Sequence, residues 1–159
     1  MNRQGIFVLG LILLCGAGKG VCAGQEQKPV FIAVERSAYK DALANRLQQD
    51  LNAKGLQVNL SDLKGLETVA AADYCVIIII NTGRAWHASA AAKKFIDRLA
   101  EPDKKKVVIF TTMGRANWQP KIAGVDTVSG ASKMNNIASD SAALASKVKI
   151  AGSGPETRN

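Results

Sequence analysis

Histidine and cysteine are scarce in this sequence, which contains one histidine and three cysteines in 159 residues. A single histidine without a cysteine or acidic cluster beside it gives no spacing typical of a zinc site. It also leaves no Ser-His-Asp arrangement for nucleophilic catalysis, and no pair of carboxylates stands out as a general acid and base. The sequence therefore predicts no metal site, and we assign no catalytic residue from it.

Acidic residues are fewer than basic ones, with 13 Asp and Glu against 21 Lys and Arg, and the formal net charge is +8. A basic balance favours anionic partners in general. No recognisable nucleic-acid-binding motif accompanies the charge, so we expect no nucleic-acid partner.

Residues 1–23 have the pattern of an export signal. A basic start at Arg3 precedes the apolar core Ile6–Leu14, and small residues then offer a signal-peptidase site after Ala23. The apolar core is too short to span a bilayer, so we predict a removed signal rather than a transmembrane anchor. Neither cysteine of this segment follows a small residue, which favours soluble export over a lipoprotein. The mature protein would be periplasmic or secreted.

Removing residues 1–23 from the 159 leaves 136, and the loss of two basic residues lowers the net charge from +8 to +6. That length suits one domain with a hydrophobic core. Cys75 is then the remaining cysteine, so no intrachain disulfide can form. We expect the Cys75 side chain to be buried and to act as a small hydrophobic residue. We predict a flexible lead-in over residues 24–28, one domain over 29–151 and a disordered tail over 152–159.

Three apolar runs without alternation predict buried strands, namely Val30–Val34, Cys75–Ile80 and Val107–Phe110. Such runs are typical of strands covered on both faces in a parallel sheet. The alternating run Leu56–Leu60 favours an edge strand, and Val125–Val128 is a short fifth strand.

Stretches with helical spacing separate these runs. The first helix begins at Ser37, has leucine every four residues and ends at Gly55 in a left-handed conformation. A weaker helical stretch begins at Ser61-Asp62, and a third helix begins at Ser89. A last helix has an apolar stripe formed by Met134, Ile137, Leu144 and Val148.

This alternation is the βαβ pattern of an α/β doubly wound sheet with helices on both faces. Over roughly residues 29–150 the chain resembles the flavodoxin-like fold, which has five parallel strands in the order 2-1-3-4-5. The resemblance depends on the order of the elements and on three polar loops that follow the apolar strands, Glu35–Tyr39, Asn81–His87 and Thr111–Trp118.

These loops contain both tryptophans, the only histidine and three arginines of the chain. The carboxyl ends of parallel strands meet at one edge of the sheet, so we expect the loops to form one site. Guanidinium groups bind phosphate or carboxylate and indoles stack on planar rings, which indicates a small planar anionic ligand. The predicted site residues are Arg36, Ser37, Tyr39, Asn81, Thr82, Gly83, Arg84, Trp86, Thr112, Gly114 and Trp118.

In the flavodoxin family the ligand is FMN, and the resemblance implies FMN, electron transfer and a redox protein partner here. The first loop would hold the phosphate, and Trp86 and Trp118 match in kind the aromatic residues that flank the flavin ring. The first loop differs from the family's Thr/Ser-rich, glycine-containing run, because Glu35 stands where the phosphate would approach. The alternative is a cofactor-free binding module that keeps the fold.

Structural roles stay open for the same residues. Ser37 could serve as a helix cap alone, and the tryptophans could cover the top of the sheet. Arg84 and Arg115 could form ion pairs with Glu35 or Asp126, and His87 could be an exposed loop residue.

Residues 126–132, Asp-Thr-Val-Ser-Gly-Ala-Ser, have a second resemblance. They are similar to the Asp-x-x-Ser-Gly-Ala-Thr signature at which exported proteins receive covalent FMN, with Ser132 in place of the threonine. The structural alternative is that Ser132 caps the last helix.

Overall fold

A computed structural model describes residues 28–83, 88–113 and 121–148 of the chain. The strands in these ranges are β1 Val30–Val34, β2 Val58–Asp62, β3 Val76–Thr82, β4 Val107–Thr112 and β5 Asp126–Gly130. They form one parallel sheet in the order β2-β1-β3-β4-β5. The predicted fold class and strand order are confirmed. The predicted signal and tail lie outside the described residues.

Helix α1 Ala38–Asn52 lies between β1 and β2, helices α2 Ala90–Asp97 and α3 Glu101–Lys104 lie between β3 and β4, and α4 Ile137–Lys147 follows β5. Short 3-10 helices cover Leu63–Glu67, Ala71–Asp73 and Met134–Asn136. In the ranges that the structure describes, no helix is both long and apolar enough to cross a bilayer.

The isoleucine run of β3 is buried on both faces of the sheet. Ile78 and Ile80 belong to a hydrophobic cluster with the leucines of α1 and with Leu144 of α4. Ile77 and Ile79 belong to a second cluster, with Leu66 and Phe95 of the opposite layer. Because successive strand residues point to opposite faces, each layer of helices receives alternate isoleucines. The run therefore needs no polar positions.

Helix α1 follows its sequence pattern closely. Its residues Tyr39, Leu43, Leu47 and Leu51 are buried, and Ser37 Oγ accepts a hydrogen bond from the backbone N–H of Lys40 at 3.3 Å. Gly55 has a φ of 78°, and the next N–H, of Leu56, donates to the Leu51 carbonyl. This is the hydrogen-bond pattern of a Schellman motif, which favours glycine at the left-handed position.

Two predictions near the second strand are wrong in detail. The helical stretch expected from Ser61-Asp62 is a pair of 3-10 helices, and the cap is Asp62, which accepts from the N–H groups of Lys64 and Gly65. Apolar residues three apart, at 63, 66 and 69, suit the three-residue turn better than an α-helix. Cys75 lies just before β3 rather than inside it and is only half-buried.

The last helix also differs from its prediction. It starts at Ile137, so Met134 lies in a preceding 3-10 turn and is 60% exposed instead of joining the apolar stripe. Strand β5 runs on to Gly130, where a Cβ atom would lie 2.7 Å from Cζ of Phe110. The glycine is therefore explained by the packing of Phe110 against β5.

Candidate functional site

The candidate site is an open groove of about 710 Å³ at the carboxyl edge of the sheet. It lies where the chain leaves β1, β3, β4 and β5, the edge at which open α/β sheets bind ligands. Its lining residues are Ser37, Ala38, Tyr39, Lys40, Thr82, Gly83, Thr112, Met113, Ala131, Ser132 and Lys133.

A charged cluster of Glu35, Lys40 and Thr82 joins the first strand–helix connection to the end of β3. The Oε2 atom of Glu35 accepts from the backbone N–H of Thr82 at 2.6 Å and from Nζ of Lys40 at 3.0 Å. The same Nζ donates to Oγ1 of Thr82 at 2.7 Å. Lys40 is only 5% exposed, so its charge is balanced inside the protein by Glu35.

The ionisation of Glu35 follows from this environment. Burial raises the pKa of the carboxyl, but the hydrogen bonds from Thr82 and Lys40 outweigh burial and hold the pKa below its ordinary value. Glu35 is therefore a carboxylate at neutral pH, and the cluster is an ion pair with no net charge.

Tyr39 lies in the wall of the groove, and a hydrogen bond to α4 holds its side chain in place. Its hydroxyl donates a short hydrogen bond to Oδ2 of Asp140 on α4. Burial and the Asp140 carboxylate raise the pKa of Tyr39 well above its ordinary value, so the phenol stays neutral. The hydrogen bond joins the start of α1 to α4 beneath the groove.

Asn81 is fully buried and does not line the groove. Its Nδ2 atom donates to the carbonyl of Phe110 at 3.2 Å, and its Oδ1 accepts from the backbone N–H of Ser89 at 2.9 Å. Ser89 caps α2 by accepting from the N–H of Ala92. Asn81 thus fixes the start of α2 against the end of β4, which is a positioning role.

The structure brings together part of the predicted site. The predicted residues that line the groove are Ser37, Tyr39, Thr82, Gly83 and Thr112. Arg36 is exposed and pairs with Asp41 at 3.1 Å. The remaining predicted residues, Arg84, Trp86, Gly114 and Trp118, lie outside the described ranges, as do His87 and Arg115.

The groove also has lining residues that the predicted site did not include, namely Ala38, Lys40, Met113 and the turn after β5. The turn could have been included from the predicted strand order, because β5 lies beside β4 and must end at the same edge. Lys40 gave no such signal, since a lysine after Tyr39 fits an exposed helix position equally well. Glu35 and Asp126 were considered as ion-pair partners of Arg84 and Arg115. In the structure Glu35 pairs with Lys40, and Oδ2 of Asp126 lies 3.6 Å from Nζ of Lys147.

Ser132 is exposed in the groove wall and does not cap α4, which begins after Asn136 without a side-chain cap. The capping alternative is therefore wrong, because a 3-10 turn separates Ser132 from the helix. Covalent attachment of FMN at this serine stays a prediction.

Thermal or urea unfolding can show that Ser37 caps a helix and that Ser132 does not. Replacing Ser132 with alanine should change the free energy of unfolding by no more than about 0.5 kcal/mol. The matched variant Ser37→Ala removes a real cap and should cost about 1 kcal/mol. An equal loss in both variants would contradict the assignment of the caps.

The fold is similar to those of solved flavodoxins. A flavodoxin from the domain Archaea is 12% identical with a TM-score of 0.52, and the match covers 77% of this chain and 99% of that one. Oxidised flavodoxin 2 from Bacillus cereus is 14% identical with a TM-score of 0.52, covering 76% of this chain and 97% of that one. At these identities the likeness concerns the fold, so the chain has a flavodoxin-like domain.

A larger protein contains a similar domain. Rubredoxin oxygen:oxidoreductase from the anaerobe Desulfovibrio gigas is 11% identical with a TM-score of 0.51, and the match covers 77% of this chain but 36% of that one. No protein-family model matches the sequence, and no curated protein matches it.

Proposed function

We propose that this protein binds a flavin or a similar planar ligand in the groove and uses it for electron transfer. The observation that carries the proposal is the groove itself, which lies at the carboxyl edge of a flavodoxin-like sheet between the ends of four of its strands. FMN or a similar planar anion is the ligand that the sequence resemblance implies.

The groove offers surfaces for a flat ring. Met113 follows β4 in one wall and is partly exposed, whereas Tyr39, fixed by Asp140 in another wall, is only 5% exposed. A thioether makes favourable contacts with a planar aromatic ligand. Trp86 and Trp118, which the sequence predicts to belong to the same site, would add indole rings for stacking.

The phosphate of FMN fits less well than its ring. The first strand–helix connection, where the resemblance places the phosphate, has Glu35 already bound to Lys40 and to the backbone of Thr82. No part of the proposal therefore depends on a phosphate contact at this end of the groove.

The predicted export signal would place this chemistry in the periplasm or outside the cell. An electron-transfer role requires a redox protein that donates to or accepts from the bound ligand.

The proposal is tested by titrating purified protein with riboflavin and with FMN while recording tryptophan emission. The chain has two tryptophans, and both belong to the predicted site. We expect quenching, because a ring stacked on an indole accepts its excitation. Trp86→Ala and Trp118→Ala should each weaken binding by about 1 kcal/mol, roughly fivefold in Kd.

A matched control is Tyr74→Ala, because Tyr74 precedes the amino end of β3 and packs on Phe31 at the opposite edge of the sheet. This variant should bind flavin as the unchanged protein does. Emission that stays constant with both flavins up to millimolar concentration would refute the proposal and favour the cofactor-free module.

A further inference from the structure

Two hydrogen-bond donors converge beside the first turn of α1. They are the ammonium group of Lys40 and the backbone N–H of Thr82 at the end of β3. A buried ammonium, a strand-end N–H and a helix N-terminus together favour negative charge. This corner of the groove is therefore built to hold an anion.

The protein supplies that anion itself. Glu35 Oε2 receives both donors, at 2.6 Å from Thr82 N and 3.0 Å from Lys40 Nζ. Its side chain is 28% exposed, whereas that of Lys40 is 6% exposed. The carboxylate thus lies over a buried lysine whose charge it neutralises, and this ion pair has no net positive charge to attract a second anion.

Two neighbouring groups of the first strand–helix connection also have partners within the protein. Ser37 Oγ accepts from the Lys40 N–H that it caps, at 3.3 Å, and Arg36 pairs with Asp41. A phosphate entering this corner would have to displace Glu35 or lie against it. Displacement would expose a carboxylate that has lost its partners, and close approach would place like charges together.

Resting on the proposed function, we infer that Glu35 is a specificity residue that excludes phosphate from the α1 end of the groove. The ligand is then a planar ring compound without a phosphate group at that end. Glu35 lowers the affinity for phosphorylated ligands, because its carboxylate occupies the position of the phosphate and repels it.

Riboflavin and FMN make a direct test, because they share the ring and the ribityl chain and differ by one phosphate. Purified protein should bind FMN at least about tenfold more weakly than riboflavin, the scale of a like-charge contact near a protein surface. Millimolar inorganic phosphate should leave riboflavin binding unchanged.

Glu35→Gln removes the negative charge while keeping an oxygen that can accept from Thr82. In this variant the ratio of the two Kd values should fall to about threefold or less, or invert, because Lys40 is then free to attract phosphate. The control Glu67→Gln makes the same change in an exposed 3-10 helix of the opposite layer and should keep the original ratio.

The outcomes separate this inference from the proposed function. FMN binding as tight as riboflavin binding in the unchanged protein would overturn the inference and leave the proposed function standing. A ratio that Glu35→Gln does not alter would equally overturn the role of Glu35. Failure of both flavins to bind would overturn the proposed function and the inference with it. If Glu35→Gln does not fold, the ratio of the FMN and riboflavin Kd values in the unchanged protein decides whether the groove excludes phosphate.

Discussion

Replacing Ile78 with aspartate should prevent the protein from folding. Ile78 is fully buried at the centre of β3, where its neighbours in register are Ile32 and Val108. A carboxylate at this position would have no partner, and burying it would cost several kcal/mol out of a typical total stability of about 5–15 kcal/mol. Circular dichroism and size-exclusion chromatography of the purified variant would show the loss of structure.

The matched variant Ile78→Val removes one methylene group from the same position. It should fold, with a loss of about 0.5–1.5 kcal/mol in the free energy of unfolding. An Ile78→Asp protein that unfolds at a temperature near that of the unchanged chain would show that Ile78 is not enclosed between two layers.

Asn81→Ala should destabilise the protein by about 2–3 kcal/mol, the largest loss that we expect from a polar residue near the site. Asn81 is fully buried and joins the carbonyl of Phe110 to the N–H of Ser89. Alanine removes both hydrogen bonds and leaves a small void where the amide was. Urea unfolding followed by circular dichroism would measure the change.

The control Asn45→Ala makes the same truncation on the exposed face of α1 and should change stability by less than about 0.5 kcal/mol. Similar values for the two variants would contradict the bridging role of Asn81. We also expect Asn81→Ala to weaken hydrogen-exchange protection at the start of α2 before it affects β1, because Ser89 is the cap of that helix.

The sheet could be predicted because its signals are local. Runs such as Val30–Val34 and Val107–Phe110 are apolar without interruption, and their spacing fits crossover helices. Strand ends were predicted less well, since β3 and β4 each continue into polar residues, through Thr82 and Thr112. Pairing with the neighbouring strand, rather than side-chain polarity, decides where these strands stop.

The candidate site depends on contacts between distant parts of the sequence. Glu35 meets Thr82 because β1 pairs with β3, with Val34 opposite Ile80. No pattern within the first loop shows that its acid receives a backbone N–H from a strand end so far along the chain. The sequence therefore located the edge of the sheet that forms the groove, whereas the balance of charges inside it required the structure.

The two outer strands differ in character from the strands that they enclose. Strands β2 and β5 are five residues long, as is the inner strand β1, but they include exposed polar side chains such as Asn59 and Asp126. Isoleucine-rich segments of low charge tend to self-associate as stacked strands. Short edge strands with polar side chains discourage the addition of a strand from another molecule. The order of the strands therefore keeps β3, the segment most prone to aggregate, in the interior of the sheet.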